Sequence, residues 1–255
     1  MTDGGSKGER TRAAIIDAAL VLFRENGYDA TTMRGIAAAA DVSVGNAYYY
    51  FESKEQLIQG VYETTQATHA DLVADLLQRE TDLERRIIGV GDAWFDAMAP
   101  YHAFASKFFK HAAEPTSPLS PFSPDSTPTR ERAIDLWRRV LAGSDTKVPK
   151  KLAEEVPEML WLLFMVLVLF WVYDQTPGQA ASHRMVRRVA PLVVRAIALA
   201  RLPVVRGMLD DIIAVVDEVR LVFATGLNHV SDPTATLVPG APVPGRRRSG
   251  PRPRA

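Results

Sequence analysis

Apolar residues recur along most of the chain at intervals of three and four, the spacing of one helix face, and no stretch of strand length alternates. A helix over 9–26 places Ile16, Ala19, Leu20 and Phe23 on one side. It stops at Gly27, which enters positive φ without strain. A second helix starts after Thr31, read as its N-cap, with Met33, Ile36, Ala37 and Ala40 at i, i+3, i+4 and i+7. Beyond a break at Asp41-Val42, Ser43 caps a brief helix that carries Gly45, Asn46, Ala47 and Tyr48. Ser53 with Gln56 has the spacing of a capping box and opens a long helix through Leu57 and Val61 to about residue 78.

Further helices are predicted at 82–98, 101–113, 129–142, 150–174, 178–200 and 204–225. The stretch 115–128 (PTSPLSPFSPDSTP) is read as a loop, because each proline removes a backbone donor and pushes its predecessor toward extended geometry. Leu119 and Phe122 give that loop something to bury. The pattern predicts an all-α fold: three short helices at the N-terminus, joined by a long helix to a larger helical body. The expected divisions are a loose arm at 1–8, a head at 9–58, a body at 59–228, and a disordered Pro/Arg-rich segment at 229–255.

Composition adds exclusions. Of 255 residues, 47% are hydrophobic and 24% charged, ordinary for a packed chain with a sizeable core. There is no cysteine, which removes disulfides and thiolate metal sites. The polar residues 1–12 lack the apolar core of a signal peptide. The longest apolar run, 159–173, has fifteen residues, short of the roughly 20 that a membrane span needs, and is read as a buried helix. No membrane association and a cytoplasmic location are expected. The five histidines are scattered, without an H-E-x-x-H pair, and there is no G-x-S-x-G elbow or phosphate-binding glycine loop. The expectation is therefore no catalytic residues, no metal, no cofactor, and no enzyme.

A small three-helix unit lets its third helix project into a DNA major groove while its neighbours hold it. In this chain the string from Tyr28 to Leu57 closely resembles the DNA-binding domain of the TetR family. The shared positions are Thr31-Thr32, Ile36-Ala37, Ala40, Val42-Ser43, Gly45, Tyr48, Phe51, Ser53-Lys54 and Leu57. The resemblance covers about the first quarter of the chain and implies a helix-turn-helix transcriptional regulator, usually a repressor. The DNA-contact candidates are Thr31, Thr32, Arg34, Val44, Gly45, Asn46, Tyr48, Tyr49 and Lys54. Backbone N–H groups and a hydroxyl at the start of the second helix favour phosphate beside Arg34. Gly45 lets the backbone approach DNA, and Asn46 matches an adenine edge. Tyr48 and Tyr49 reach phosphates, and Lys54 grips the other side of the groove. Phe51 and at least one tyrosine are expected in the core.

Three positions depart from the family pattern. Asp41 stands where glycine is usual, though aspartate tolerates the left-handed region better than most residues. Val44 replaces a frequently polar residue, and Glu52 a basic or neutral one. Residues 1–60 hold six basic residues against eight acidic ones, so the head is not basic, and the chain as a whole has 30 of each. Arg246, Arg247, Arg248, Arg252 and Arg254 could add non-specific DNA attraction, or simply keep the chain soluble.

The resemblance also implies a homodimer on a pseudo-palindromic operator and a small-molecule effector. The helices near 156–174 and 178–200 are the dimerisation candidates, with Val186, Val189, Ala190, Val193, Val194, Ile197 and Ala198 on the second. Candidates for lining a lipophilic pocket are Trp94, Met98, Tyr101, Phe104, Phe108, Trp137, Trp161, Phe164 and Met165. Phe95 groups with them, and all can equally be plain core. The competing functional reading is a helical adaptor that binds protein through a reduced head.

Overall fold

The computed structural model describes residues 6–202 except 115, together with 211, 214, 217 and 218. The predicted helix at 204–225 falls almost wholly outside these residues, as do the segment 229–255 and positions 1–5 of the expected arm. The described residues form helices and turns with no strand.

Helix α1 (Lys7–Asn26) begins two residues earlier than its apolar pattern suggested. Ser6 supplies the reason: its hydroxyl accepts from the Glu9 N–H at 3.2 Å, while the Glu9 carboxylate accepts from the Ser6 N–H, a reciprocal cap. Ile15, Ile16, Ala19 and Phe23 are buried. Gly27 ends the helix at φ 80.

Helix α2 (Met33–Ala39) is capped by Thr32, whose Oγ accepts from Gly35 N–H at 3.1 Å. Thr31, expected as the cap, instead turns inward at 3% exposure and donates to the carbonyls of Gly27 (2.8 Å) and Leu22 (3.2 Å). Asp41 takes φ 54 in the following turn, as its place in the pattern demanded. Helix α3 (Val44–Tyr50) starts on Ser43, which accepts from Asn46 N–H at 3.1 Å. Helix α4 (Lys54–Leu72) starts on Ser53 in the same way, while the Gln56 side chain reaches back to Glu52 N–H rather than to Ser53.

The predicted long helix to 78 is broken at Val73. Helix α5 (Ala74–Arg79) follows directly, and Val73 itself is buried in the body. Helices α6 (Leu83–Met98), α7 (His102–Ala113), α8 (Thr127–Ala142), α9 (Glu155–Tyr173) and α10 (Ala180–Leu199) complete the described body. Helix α6 packs on α10, and α8 on α9. Their core holds Val90, Phe95, Trp137, Leu160, Trp161, Phe164, Trp171 and Val186. A second core fills the head with Ile15, Phe23, Ile36, Ala47, Phe51, Leu57 and Ile58. Helix α4 serves both, with Leu57 to Val61 in the head and His69 buried against Val90 and Phe164. A boundary at residue 58 therefore cuts a continuous helix.

The loop is ordered by its own repeat. Ser120, Ser123 and Ser126 each donate a backbone N–H to the carbonyl of the serine three residues before. Successive turns put Leu119 into the head core and Phe122 against Trp161, 5.5 Å between ring centroids. Pro128 sits in the first turn of α8 rather than in the loop, where its missing donor costs nothing.

Two polar residues tie helix ends together. Arg86 is 1% exposed and, among the described residues, makes no carboxylate salt bridge within 4 Å. Its guanidinium donates to the carbonyls of Leu77 (2.8 Å) and Glu80 at the end of α5, and of Arg139 and Val140 (both 2.7 Å) in the last turn of α8. Gly143 permits this approach, since a Cβ there would stand 2.5 Å from the guanidinium. Asp174, in the α9–α10 hairpin, accepts from the N–H and hydroxyl of Thr176 and of Ser182 at 2.6–2.9 Å.

Burial alone would raise the Asp174 carboxyl, but these four donors outweigh it and hold it at about 2 against an ordinary 3.8. A depressed carboxyl stabilises the fold above the unfolded value and loses that contribution as pH falls through the folded one. Asp174→Asn should therefore cost about 2 kcal/mol at neutral pH, and its gap from wild type should close between pH 4 and 2. Thermal melts across that range test this, and a pH-independent gap would contradict it.

Candidate nucleic-acid interface

The head core uses very little of α3. Ala47 is its only fully buried residue and Tyr50 is partly buried, while Val44, Gly45, Asn46, Tyr48 and Tyr49 are exposed. Tyr49 is 81% exposed, an unusual place for a phenol on a helix that needed only packing. Ser43 at one end and the buried Phe51 at the other fix the helix, so its outward side chains are presented on a rigid base. A Cβ built on Gly45 meets nothing within 4 Å, so the glycine leaves open space on the outer surface. Thr32 and Arg34, at the start of α2, are exposed as well.

The nine predicted contact residues thus divide. Thr32, Arg34, Val44, Gly45, Asn46, Tyr48 and Tyr49 face solvent, Thr31 does not, and Lys54 is half-buried. The Lys54 ammonium donates to the Tyr28 carbonyl at 2.9 Å and lies 4.3 Å from the centre of the Tyr28 ring. The Tyr28 hydroxyl in turn donates to Glu55 at 2.7 Å. Burial, then the Glu55 carboxylate, push the phenol above its ordinary value, so it stays a donor through the physiological range. Tyr28 is a residue that the sequence reading missed: its aromatic ring and the Lys54 spacing were visible, but not their meeting across 26 residues.

Charge reaches α3 only from neighbouring elements, among them exposed Lys7 and Arg10 on α1, whose Gly8 lies beside the Tyr50 hydroxyl. The helix contains no charged residue, and exposed Asp41 and Glu52 flank it. Arg12 pairs with Glu63 at 2.9 Å and lies over the Phe51 ring.

The aromatic residues predicted to line a pocket fall in two places. Trp137, Trp161 and Phe164 are buried body core, with Trp94, Met98 and Met165 packed against it. Trp94 meets Phe95, Phe164 and Trp171 edge-on at 5.2–5.8 Å, so these rings close on one another. Phe104 and Phe108 belong to the head core instead: Phe104 stacks on Phe23 at 5.7 Å, and Phe108 meets Tyr28 at 5.3 Å. They lie there because α7 packs against α1, and with the Lys110 and His111 contacts to Asp29 they join head to body. Tyr101 is half-buried in a short 3₁₀ turn, Ala99–Tyr101. Two clefts among the described residues, about 630 and 540 Å³, lie beside α4 and include none of these nine aromatic and methionine residues.

Helix α9 has 19 residues and a mean hydropathy of 2.1, enough by length and composition to cross a membrane, so the shortness of its apolar run does not discriminate. Its placement does more: Val156, Leu160, Trp161, Phe164, Leu167, Trp171 and Val172 are buried in the body. A second face remains open, with Val166, Leu169, Phe170 and Tyr173 exposed, and Leu192 and Leu199 exposed on α10. Of the predicted α10 residues, Val186, Ala190 and Ile197 are spent inside the subunit, Val189, Val193 and Val194 are half-buried, and Ala198 is exposed.

A trihelical head with an exposed third helix, set on a helical body, defines a two-domain helix-turn-helix protein. The chain belongs to the TetR family. The profile described as "Tetracyclin repressor-like, C-terminal domain" matches residues 86–214, and that described as "Bacterial regulatory proteins, tetR family" matches residues 15–61. The transcriptional repressor KstR2 of Rhodococcus jostii is 32% identical over 122 residues, 43% of this chain and 59% of that one. The chain spans about half the length of the curated relatives it matches. The crystal structure of a TetR transcriptional regulator from Nitrosomonas europaea superposes with TM-score 0.53 at 18% identity, over 74% of this chain and 99% of that one. Thermus thermophilus FadR, a transcriptional repressor solved with lauroyl-CoA, gives TM-score 0.54 at 22% identity, over 70% and 92%. These two share the fold.

Proposed function

We propose that the chain is a cytoplasmic, homodimeric transcriptional repressor that reads a pseudo-palindromic DNA operator through α3 and is released by a small lipophilic molecule. One observation carries the reading: a rigidly capped α3 that withholds nearly all its side chains from the core. Two such helices on one dimer would address half-sites on successive major-groove turns. The open apolar face of α9 and α10 supports dimerisation there, because an exposed patch of that kind is rarely left uncovered. KstR2 is a repressor by name, and the FadR structure holds an acyl-CoA; both support a repressor with a lipophilic effector. The effector would bind by parting the rings around Trp94 and Phe164, favouring a second arrangement of the body. Thr32, Arg34, Val44, Gly45, Asn46, Tyr48 and Tyr49 make the DNA contacts, with Lys54 buttressing Tyr28.

Charge placed on the apolar face separates this reading from a monomeric adaptor. Phe170→Glu should yield monomers in sedimentation and lower affinity for a palindromic duplex at least tenfold, the loss of one linked head. A Phe170→Glu protein that remains dimeric and binds as wild type would contradict the assignment of that face.

A further inference from the structure

Trp171 is 1% exposed, and its indole N–H is buried without a hydrogen-bond partner among the described residues. Two other buried side-chain atoms share that condition, Gln59 Oε1 and His111 Nε2. Both belong to half-buried side chains with other polar contacts: Gln59 Nε2 donates to Pro118 and Ser126, and His111 Nε2 stands 3.2 Å from Asp29. Trp171 Nε1 has no such neighbour. A buried indole normally finds an acceptor, and an unpaired buried donor costs stability. Phenylalanine would fill much of the same space without that cost. The rings that meet Trp171 edge-on are Trp94, near the end of α6, at 5.2 Å and His102, at the start of α7, at 4.7 Å. Both are half-buried, so displacing Trp94 opens a route from solvent to the unpaired donor. His102 Nε2 meanwhile donates to the Trp171 carbonyl at 2.8 Å and fixes the backbone there.

We propose that the Trp171 N–H is the polar contact of the effector site, and that it selects an uncharged apolar molecule carrying a carbonyl, a ketone or an ester. The proposal rests on the effector reading above. The apolar part of the ligand replaces the ring contacts of Trp94 with Phe164 and Trp171, and its carbonyl oxygen accepts from Trp171 Nε1. Sites for small molecules are mostly apolar, with a few placed polar groups that set orientation and specificity. A carboxylate is disfavoured, because neither ring on Trp171 brings a fixed positive charge and a buried anion needs one. The one carboxylate close in sequence, Asp174, is committed to Thr176 and Ser182 and leaves the indole unpaired. A pure hydrocarbon leaves it unpaired as well. The carbonyl is therefore what favours the parted arrangement over the closed one.

The test measures the affinity of the full chain and of Trp171→Phe for α-tetralone and methyl heptyl ketone, for the hydrocarbons tetralin and nonane, and for naphthoate and nonanoate. Setting each ketone against its hydrocarbon cancels shape, and setting the two proteins against each other cancels hydration of the carbonyl. For at least one pair the ketone-to-hydrocarbon ratio should be about tenfold higher in wild type, the worth of pairing a donor otherwise left bare. The indole proton of Trp171, one of four tryptophans and assigned by its proximity to the His102 ring, should move downfield in the magnetic-resonance spectrum when that ketone binds. This second readout uses the wild-type chain and stands even where Trp171→Phe does not fold. Equal ratios in the two proteins, or an unmoved Trp171 signal with ketone bound, would overturn the proposal and leave a lipophilic effector standing. Carboxylates that bind as tightly as the ketones would overturn it as well. Failure of the wild-type chain to bind any of these probes would overturn both the proposal and the effector reading.

Discussion

Arg86→Met should lower stability by at least about 3 kcal/mol, a fall in melting temperature of about 10 °C. The buried guanidinium is the shared donor for four carbonyls at the ends of α5 and α8. Methionine fills much of the volume yet removes that donor from all four carbonyls, of which Arg139 keeps the Gly143 N–H, and each buried acceptor left unsatisfied costs about 1–3 kcal/mol. A cation at a helix C-terminus also opposes the dipole of the helix, so the loss falls on two helices together. Lysine should recover only part, because one ammonium cannot span both carbonyl pairs. Arg85, next in sequence and 76% exposed, is the control: Arg85→Met should change stability by less than about 0.5 kcal/mol. Thermal or urea unfolding decides it. Wild-type stability in Arg86→Met would show that the four contacts carry no weight.

The second large effect is on function and leaves the fold intact. Gly45→Leu puts a side chain where a Cβ would meet nothing within 4 Å, and removes a glycine from the first turn of a helix. Stability should hold or rise by up to about 1 kcal/mol. DNA affinity should drop tenfold or more, because the new side chain occupies the space that the backbone needs against the groove. Asn46→Ala should cost about 1–3 kcal/mol of binding and relax the base preference at one position in each half-site. Opposite movement of stability and affinity marks a residue kept for contact. Parallel losses in Gly45→Leu would instead mean that α3 is packed against something within the protein.

Much of the head was legible because its signals are local. Ser43 and Ser53 cap helices three residues ahead, Asp41 meets the positive φ of its turn, and Ile36 and Ala37 fall on the buried side. Errors arose where two adjacent residues offered the same chemistry: Thr31 and Thr32 both suit a cap, and only the chain path sends Thr31 inward to Gly27. Ser6 gives no such signal, because the apolar pattern starts later than the cap.

Long-range partners left no trace in spacing. Arg86 lies between Leu83 and Ile87 and reads as a surface charge, since its acceptors are backbone carbonyls up to 54 residues away. Phe104 and Phe108 have the periodicity of the body aromatics, yet α7 turns them to Phe23 and Tyr28. Helical period tells which residues are buried together, not which core receives them.

The central claim is that α3 reads DNA. Selection of bound duplexes from a random pool by the full chain tests it most directly. The expected product is an inverted repeat whose half-sites lie about one helical turn or a multiple apart, with altered preference in each half when Asn46→Ala is used. A pool left unenriched by the wild-type chain, or one enriched identically by Asn46→Ala and Gly45→Leu, would contradict it.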